Sequence, residues 1–219
     1  MSRAGVIATV CDAILALKGG RPAAVAIDGL DAAGKTTFAD ALVAPLETRG
    51  AVVVRASVDD FEHPRARRRA RGRFSAKGYY RDSFDYEALK ALLLDPLASG
   101  ASPALVRTRA FDLAADRPVA VRPVAVPARG IVLVDGVFLL RPELADCWDL
   151  AIHLDVTEEE SMRRALMRAG GDSLELRRLH EARYLAGHRL YCDEADPHAR
   201  ANMVIDNNDW RAPAILKKG

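Results

Sequence analysis

The chain is short of everything that would take it out of the ordinary globular class. No run of about 18 uninterrupted apolar residues occurs, so no segment reads as a membrane-spanning helix. Met1 to Lys18 carries Val6, Ile7, Val10, Ile14 and Leu17 on roughly one helical face. Asp12 breaks the apolar stretch, and no basic start precedes it, so the segment reads as a first helix stopped by Gly19 and Gly20 and not as a signal peptide. Cysteine is scarce: Cys11, Cys147 and Cys192 lie far apart without metal-type spacing, which points to free thiols in a reducing cytoplasm. Charge of one sign is scarce too. A net charge of +2 gives no general pull toward nucleic acid. There is no internal repeat and no low-complexity tail. With half of its 219 residues apolar and 28% charged, the chain is long enough to bury a substantial core, in one large domain or two small ones.

What is present begins with five short apolar runs, Ala24 to Asp28, Ala51 to Ala56, Ile131 to Asp135, Leu150 to Asp155 and Met203 to Asp206. Helical or irregular stretches separate them, the pattern of an α/β fold with a parallel sheet and crossovers. Four of the runs end in Asp, and the fifth is soon followed by one. Carboxylates therefore collect at the carboxyl ends of the strands, the edge at which open α/β sheets bind ligands.

The first run leads into Gly29-Leu30-Asp31-Ala32-Ala33-Gly34-Lys35-Thr36-Thr37, a complete G-x-x-x-x-G-K-[ST] pattern. Gly29 and Gly34 let the backbone turn so that successive N–H groups point at phosphate oxygens, and the following helix adds its positive end. Lys35 is placed to reach the β- and γ-phosphates, and the Thr36 hydroxyl to ligate Mg²⁺. The helix runs from about Lys35 toward Arg49, with Pro45 expected to kink it and Gly50 closing it. No N-K-x-D guanine signature occurs, and the only D-x-x-G lies inside the loop itself, which speaks against a nucleotide-switched regulator.

Between the second and third core strands lies an insertion, Asp59 to Arg129, too long for a plain crossover. It holds a helix near Tyr86 to Leu94, a loop at Asp95 to Pro103, and two alternating segments, Ala104 to Phe111 and Val119 to Val126, that read as a hairpin over Ala114 to Arg117. This is the part expected to select an acceptor. It also holds six arginines in the nine residues 65 to 73. A solvated loop, an anionic-substrate or lid role and, last, a nucleic-acid surface compete for that run. Thr157 to Glu160 forms a capping box that starts a further helix. Its Arg163, Arg164 and Arg168, followed by Gly170-Gly171, resemble a lid; a solvated basic face is the competing reading.

Phosphoryl transfer requires positioning, charge neutralisation and a carboxylate near the acceptor hydroxyl. Asp59, after the second strand, is the candidate base, against the competing role of capping a turn. Asp135 is the candidate for the magnesium side, against a turn role at its strand end. His63 is the one histidine beside a candidate catalytic carboxylate. Tyr79, Tyr80 and Phe84, beside Asp82 and Asp85, could stack on a base and bind ribose hydroxyls, or equally begin an amphipathic helix. Trp148 and Trp210 read as packing residues, with an adenine platform kept open for Trp210.

The chain resembles the uridine kinase and phosphoribulokinase-like family of small-molecule kinases. The resemblance rests on I-D-G-L-D-A-A-G-K-T-T-F-A at 27 to 39, S-V-D-D-F at 57 to 61, S-F-D-Y-E-A-L at 83 to 89, R-T-R-A-F-D at 107 to 112, I-V-L-V-D-G-V-F at 131 to 138 and M-R-R-A-L-M-R at 162 to 168, in the family's order. It implies a P-loop three-layer α/β sandwich around a five-stranded parallel sheet, as one domain over 1–219, with the acceptor insertion at about 59–129 and a lid at about 161–178. It implies ATP and Mg²⁺ as cofactors, bound by Gly29, Asp31, Ala32, Ala33, Gly34, Lys35, Thr36 and Thr37, with Thr36 and Asp135 toward the metal. Asp59 matches the family's catalytic Asp, and Lys35, Arg164 and Arg168 complete the catalytic set. His63, Tyr80, Asp82, Asp85, Arg109 and Asp116 fall on the acceptor side, with either Asp82 or Asp85 gripping a ribose. Asp116 stands where uridine-cytidine kinases tend to place a His that reads the pyrimidine, a departure from the pattern. The stretch around His63-Pro64 is similar instead to nicotinamide riboside and pantothenate kinases. The expected partner is a small-molecule acceptor, a nucleoside first, with room for a homo-oligomer.

Overall fold

Strand β1 (Ala23–Gly29) alternates small and large apolar residues, and both of its faces are covered. Val25 and Ile27 pack with Val6, Val10 and Ile14 of α1 (Arg3–Leu15) and with Phe38, Leu42 and Leu46 of α2 (Lys35–Thr48). Ala24 and Ala26 face the other way, where their small side chains make room for Tyr79, Tyr80, Phe84 and Phe138. The same two-residue period splits β7 (Ile131–Asp135) into Ile131 and Leu133 on one side and Val132 and Val134 on the other. Two cores on one sheet make three layers. A strand buried on both faces reads as an unbroken apolar run, which is why these strands were legible.

The computed structural model describes residues 1–17 and 19–219. Its main sheet has six strands in the order β10 (Ala214–Lys218), β9 (Met203–Asp206), β8 (Leu150–Asp155), β1, β7, β2 (Val53–Ser57). The five expected strands are parallel, and β10 adds an antiparallel edge with a register shift between Ile215 and Lys217. Strand β1 thus lies between β7 and β8, with β2 beyond β7, and the phosphate loop leaves the sheet at its centre. Helix α2 continues through Pro45 to Thr48.

Within the insertion, α3 (Arg65–Arg68) and α4 (Ala76–Asp82) precede α5 (Tyr86–Leu89), which continues through a π-helical turn, Lys90–Leu94, into α6 (Asp95–Ala98). The loop expected from Asp95 therefore starts only after Ala98, because the buried Leu93, Leu94 and Leu97 keep the apolar face going. The hairpin is present in two pieces. Strand β3 (Ala104–Val106) pairs with β6 (Val124–Val126), and β4 (Phe111–Asp112) with β5 (Arg117–Pro118), on either side of a stretch without ladder pairing. After β8 come α7 (Glu158–Arg168), α8 (Leu174–Leu179), a π-helical turn over His180–Leu185, α9 (Ala186–Ala195) and α10 (Pro197–Arg200). No helix among the described residues is long and apolar enough to cross a membrane.

Candidate active site

Geometry dictates glycine at Gly29: a Cβ there would lie 2.6 Å from the Leu154 carbonyl of neighbouring β8. Ala32 (φ 56°) and Gly34 (φ 91°) take left-handed conformations, which turn the loop into the first turn of α2. Lys35 folds back over the loop, its Nζ donating to the Leu30 carbonyl at 2.7 Å. Burial lowers its pKa, while Asp31, Asp28, Asp59 and Asp135 pull the other way. The Thr36 hydroxyl donates to Asp135 Oδ2 at 2.6 Å. The loop, Asp59, Asp135, Arg164 and Arg168 line one cleft of about 290 Å³.

Asp135 closes β7 and is buried. Its Oδ1 accepts from Arg55 Nη2 at 2.7 Å, and Arg55 also donates to the Leu133 carbonyl at 2.9 Å. No local pattern marked Arg55; the parallel register that sets it opposite Leu133 did. Asp59 follows β2 in a short 3₁₀ turn capped by Ser57. Its carboxylate opens onto the cleft, yet the walls exclude enough water to raise its pKa. Lys35 lowers it, and Asp135, Asp31 and Asp60 raise it further.

On the far side, Arg164 is anchored. It donates to Glu160 at 2.6 Å, to the Ala33 carbonyl at 3.2 Å, and to the Asn207 and Asn208 carbonyls at 2.6 and 2.8 Å. Arg168 is mostly exposed and pairs with Asp31 at 3.1 Å. Arg163 turns away to Glu160 and solvent. Ser161, unmarked by the sequence, donates to the Asp31 carbonyl at 2.7 Å and lies 2.9 Å from His180 Nε2, joining α7 to the loop. Trp210 is partly exposed and lines a neighbouring hollow with Ala32, Thr37, Phe38 and Asn207.

The residues present fit a magnesium nucleotide. The glycine-bearing loop leaves its amides around the cleft, Thr36 and Asp135 offer the hard oxygen donors that Mg²⁺ prefers, and buried Asn207 carries an Oδ1 without a partner beside Gly34. Asp31 and Thr37 flank the same cleft.

The acceptor-side expectations separate. The Phe61–His63 and Ser83–Asp85 segments are joined by Asp85 N–H to Phe61 O at 2.7 Å and His63 N–H to Ser83 O at 2.8 Å. This brings His63 Nδ1 within 3.8 Å of Asp85, while Asp82 is engaged by Arg71 at 2.7 Å. Burial lowers the His63 pKa. Tyr80 is a correction: it is 1% exposed, edge-on to Phe138 and under the Arg141 guanidinium, so it packs in the core rather than along the cleft. Helical spacing put Tyr79 toward the cleft and turned Tyr80 inward. Arg109 is held by Asp60 at 3.0 Å and the Phe111 carbonyl at 2.9 Å, bracing the hairpin against the Asp59 turn. Asp116, at φ 49°, accepts from the Arg65 amide at 2.8 Å and holds the arginine helix. Arg68, Arg71 and Arg73 of the run are ion-paired within the chain.

Glu62 was missed altogether. Arg68 Nη1 lies 3.0 Å away but out of hydrogen-bonding alignment, leaving Glu62 Oε2 buried without a hydrogen-bond partner. Burial raises its pKa to about 7 against the pull of Arg68. A carboxylate raised above its unfolded value of about 4.3 contributes stability that is complete below that value and lost as pH rises through the folded one. Wild-type stability should therefore fall between pH 5 and pH 8 by on the order of 2 kcal/mol more than that of Glu62→Gln, read by denaturant unfolding. Parallel curves would refute the shift.

No family model and no curated protein matches the chain. Solved structures do. A possible uridine kinase from Bacillus stearothermophilus superposes with a TM-score of 0.70 at 27% identity, over 90% of this chain and 96% of the other. A provisionally assigned fructose transport system kinase from Silicibacter sp. TM1040 gives 0.71 at 22% identity, over 89% and 96%. D-glycerate 3-kinase from Cryptococcus neoformans gives 0.56 at 14%, over 87% and 89%. Fold and site define the class, a P-loop small-molecule kinase using ATP, and the chain resembles the uridine kinase-like structures of that class. The three neighbours are named for different acceptors.

Proposed function

We propose that residues 1–219 form a single kinase domain that transfers the γ-phosphoryl group of ATP, with Mg²⁺, to a primary hydroxyl of a small metabolite, most plainly a nucleoside such as uridine. One observation carries this reading: Asp59 and the Thr36–Asp135 pair share the cleft that holds the phosphate loop, so an acceptor-side and a metal-side carboxylate flank one phosphate position. The likeness to a possible uridine kinase supports the nucleoside. Bound magnesium ATP would supply the phosphoryl group and the charge that neutralises it in transfer. The loop amides and Lys35 would hold the phosphates, and Thr36 and Asp135 the metal. Asp59 would orient the acceptor hydroxyl and take its proton on a carboxylate oxygen. Arg164 and Arg168, on the lid at about 161–178, would face the transferred group. Residues 59–129 would hold the acceptor, with Asp85 and His63 nearest to each other among the candidates.

A second reading, an acceptor that carries an anion as pantothenate does, is favoured by Arg183. This arginine is buried, makes no ion pair among the described residues, lies over the Tyr79 ring at 5.2 Å, and makes only long hydrogen bonds of 3.4 Å, to Ser75 O and Ser83 Oγ. A coupled ADP-release screen over nucleosides, pantothenate, nicotinamide riboside and sugar phosphates separates the two. ADP release that depends on a neutral nucleoside is the expected result; dependence on an anionic acceptor selects the second reading, and release indifferent to every acceptor defeats both.

A further inference from the structure

Beneath the phosphate loop, on the face covered by α9 and α10, lies a set of side chains the kinase site does not use. Asp28, the residue before Gly29, is completely buried. It accepts from the Leu139 amide at 3.0 Å and the Tyr191 hydroxyl at 3.0 Å, and its Oδ2 lies 2.8 Å from His153 Nδ1. The pairing follows from topology, since Asp28 stands opposite His153 in the parallel register of β1 and β8. A buried carboxylate at that distance fixes the tautomer: the proton sits on Nδ1, and Nε2 keeps its lone pair.

That ring faces two further donors. Asp155, two residues on, shares its side of β8. His198 on α10 brings its ring to 4.9 Å from that of His153, and its Nε2 to 3.4 Å from Asp155 Oδ1. One ligand atom from each of His153, Asp155 and His198 lies within 4.8 Å of the other two. The 3.4 Å separation is long for a charge-assisted hydrogen bond of about 2.7–2.9 Å. It matches the edge of a tetrahedron with metal–ligand bonds of about 2.0–2.2 Å, roughly 3.3–3.6 Å.

We propose that His153, Asp155 and His198 form a binding site for a divalent first-row transition ion, Zn²⁺ foremost, with Asp28 orienting His153 from behind. Two imidazoles and one carboxylate suit Zn²⁺, Co²⁺ or Ni²⁺ and not Mg²⁺, which prefers oxygen donors alone. Three protein ligands leave a fourth position, and the half-exposed His198 and partly exposed Asp155 place it toward solvent for a water. His188 stacks on His153 at 6.3 Å and 13° and closes the inner side. An ion here fastens α10, the short link between α9 and β9, to β8. Through His153 it also steadies Asp28 at the root of the phosphate loop. The site is separate from the Thr36–Asp135 pair and stands whatever the acceptor is.

The test is calorimetric and thermal titration of chelator-treated protein with Zn²⁺ in saturating Mg²⁺, which keeps the phosphate-loop site occupied. Wild type should bind one Zn²⁺ per chain and melt at higher temperature. His198→Ala and Asp155→Asn should each weaken binding by at least about tenfold and lose the thermal shift. Both residues lie at the surface, so unchanged melting without metal certifies the variants as folded. Co²⁺ in place of Zn²⁺ should give a spectrum without a thiolate charge-transfer band. Absence of Zn²⁺ binding by wild type, undiminished binding in the two variants, or a thiolate band from a cysteine site would each overturn the proposal.

Discussion

Asp59→Asn lowers kcat by about 10²–10⁴-fold and leaves ATP affinity nearly intact, measured by steady-state kinetics beside a nucleotide titration. The amide keeps the shape of the side chain and the turn that Ser57 caps, so binding of the nucleotide on the opposite wall is preserved. What is lost is the oxygen that accepts the hydroxyl proton. The pH profile of the wild type carries the same signature. Protonated Asp59 cannot act as base, so activity rises with pH through its pKa, and the acid limb should lie above the usual carboxylate range. Desolvation in the cleft is the main cause, opposed by Lys35 and reinforced by Asp135, Asp31 and Asp60. Unchanged turnover in the variant would remove Asp59 from the chemistry.

Lys35→Met is expected to cost about 10²–10³-fold in kcat, the loss seen when one preorganised donor to a developing charge is removed. Methionine fills much the same volume in this buried position, so folding should survive. The second effect is electrostatic and more telling. Lys35 is the group that holds the Asp59 pKa down, so its removal should move the acid limb of the residual activity further up. A limb that stays in place would mean that the two side chains do not share one field, against their common place around the cleft.

How much of this was legible in the sequence depends on how local each feature is. The five parallel strands and the phosphate loop were readable because burial on both faces and a nine-residue backbone motif are properties of contiguous residues. Strand β10 was not. It is a five-residue edge strand, Ala214 to Lys218, in which only Ile215 is partly buried and Leu216, Lys217 and Lys218 are exposed, so no buried apolar run marks it. Asp59 and Asp135 could be nominated from their strand ends, whereas the Arg55 clamp on Asp135 arises from strand register across 80 positions. Asp82 and Asp85 looked alike in the sequence, and tertiary contacts distinguish them: Arg71 pairs with the first, while the second caps α5 through the Ala88 amide and lies near His63. Tyr80 misled because two adjacent tyrosines on a helix cannot both face a cleft. Asp28 and His153 stand in separate apolar runs of the sequence, and only the pairing of β1 with β8 makes them partners. The arginine run left several readings open in the sequence. Glu62 and Asp116 engage Arg68, Asp82 engages Arg71 and Glu175 engages Arg73, so part of its charge is paired within the chain.

The central claim is that a phosphoryl group leaves the nucleotide in this cleft and arrives on a small hydroxyl compound. Mass spectrometry of the acceptor after incubation with ATP and Mg²⁺ tests it most directly. The predicted result is one phosphorylated product, formed in step with ADP by the wild type and absent with Asp59→Asn. ATP that is bound but passes its phosphoryl group only to water, with no acceptor modified, would contradict it.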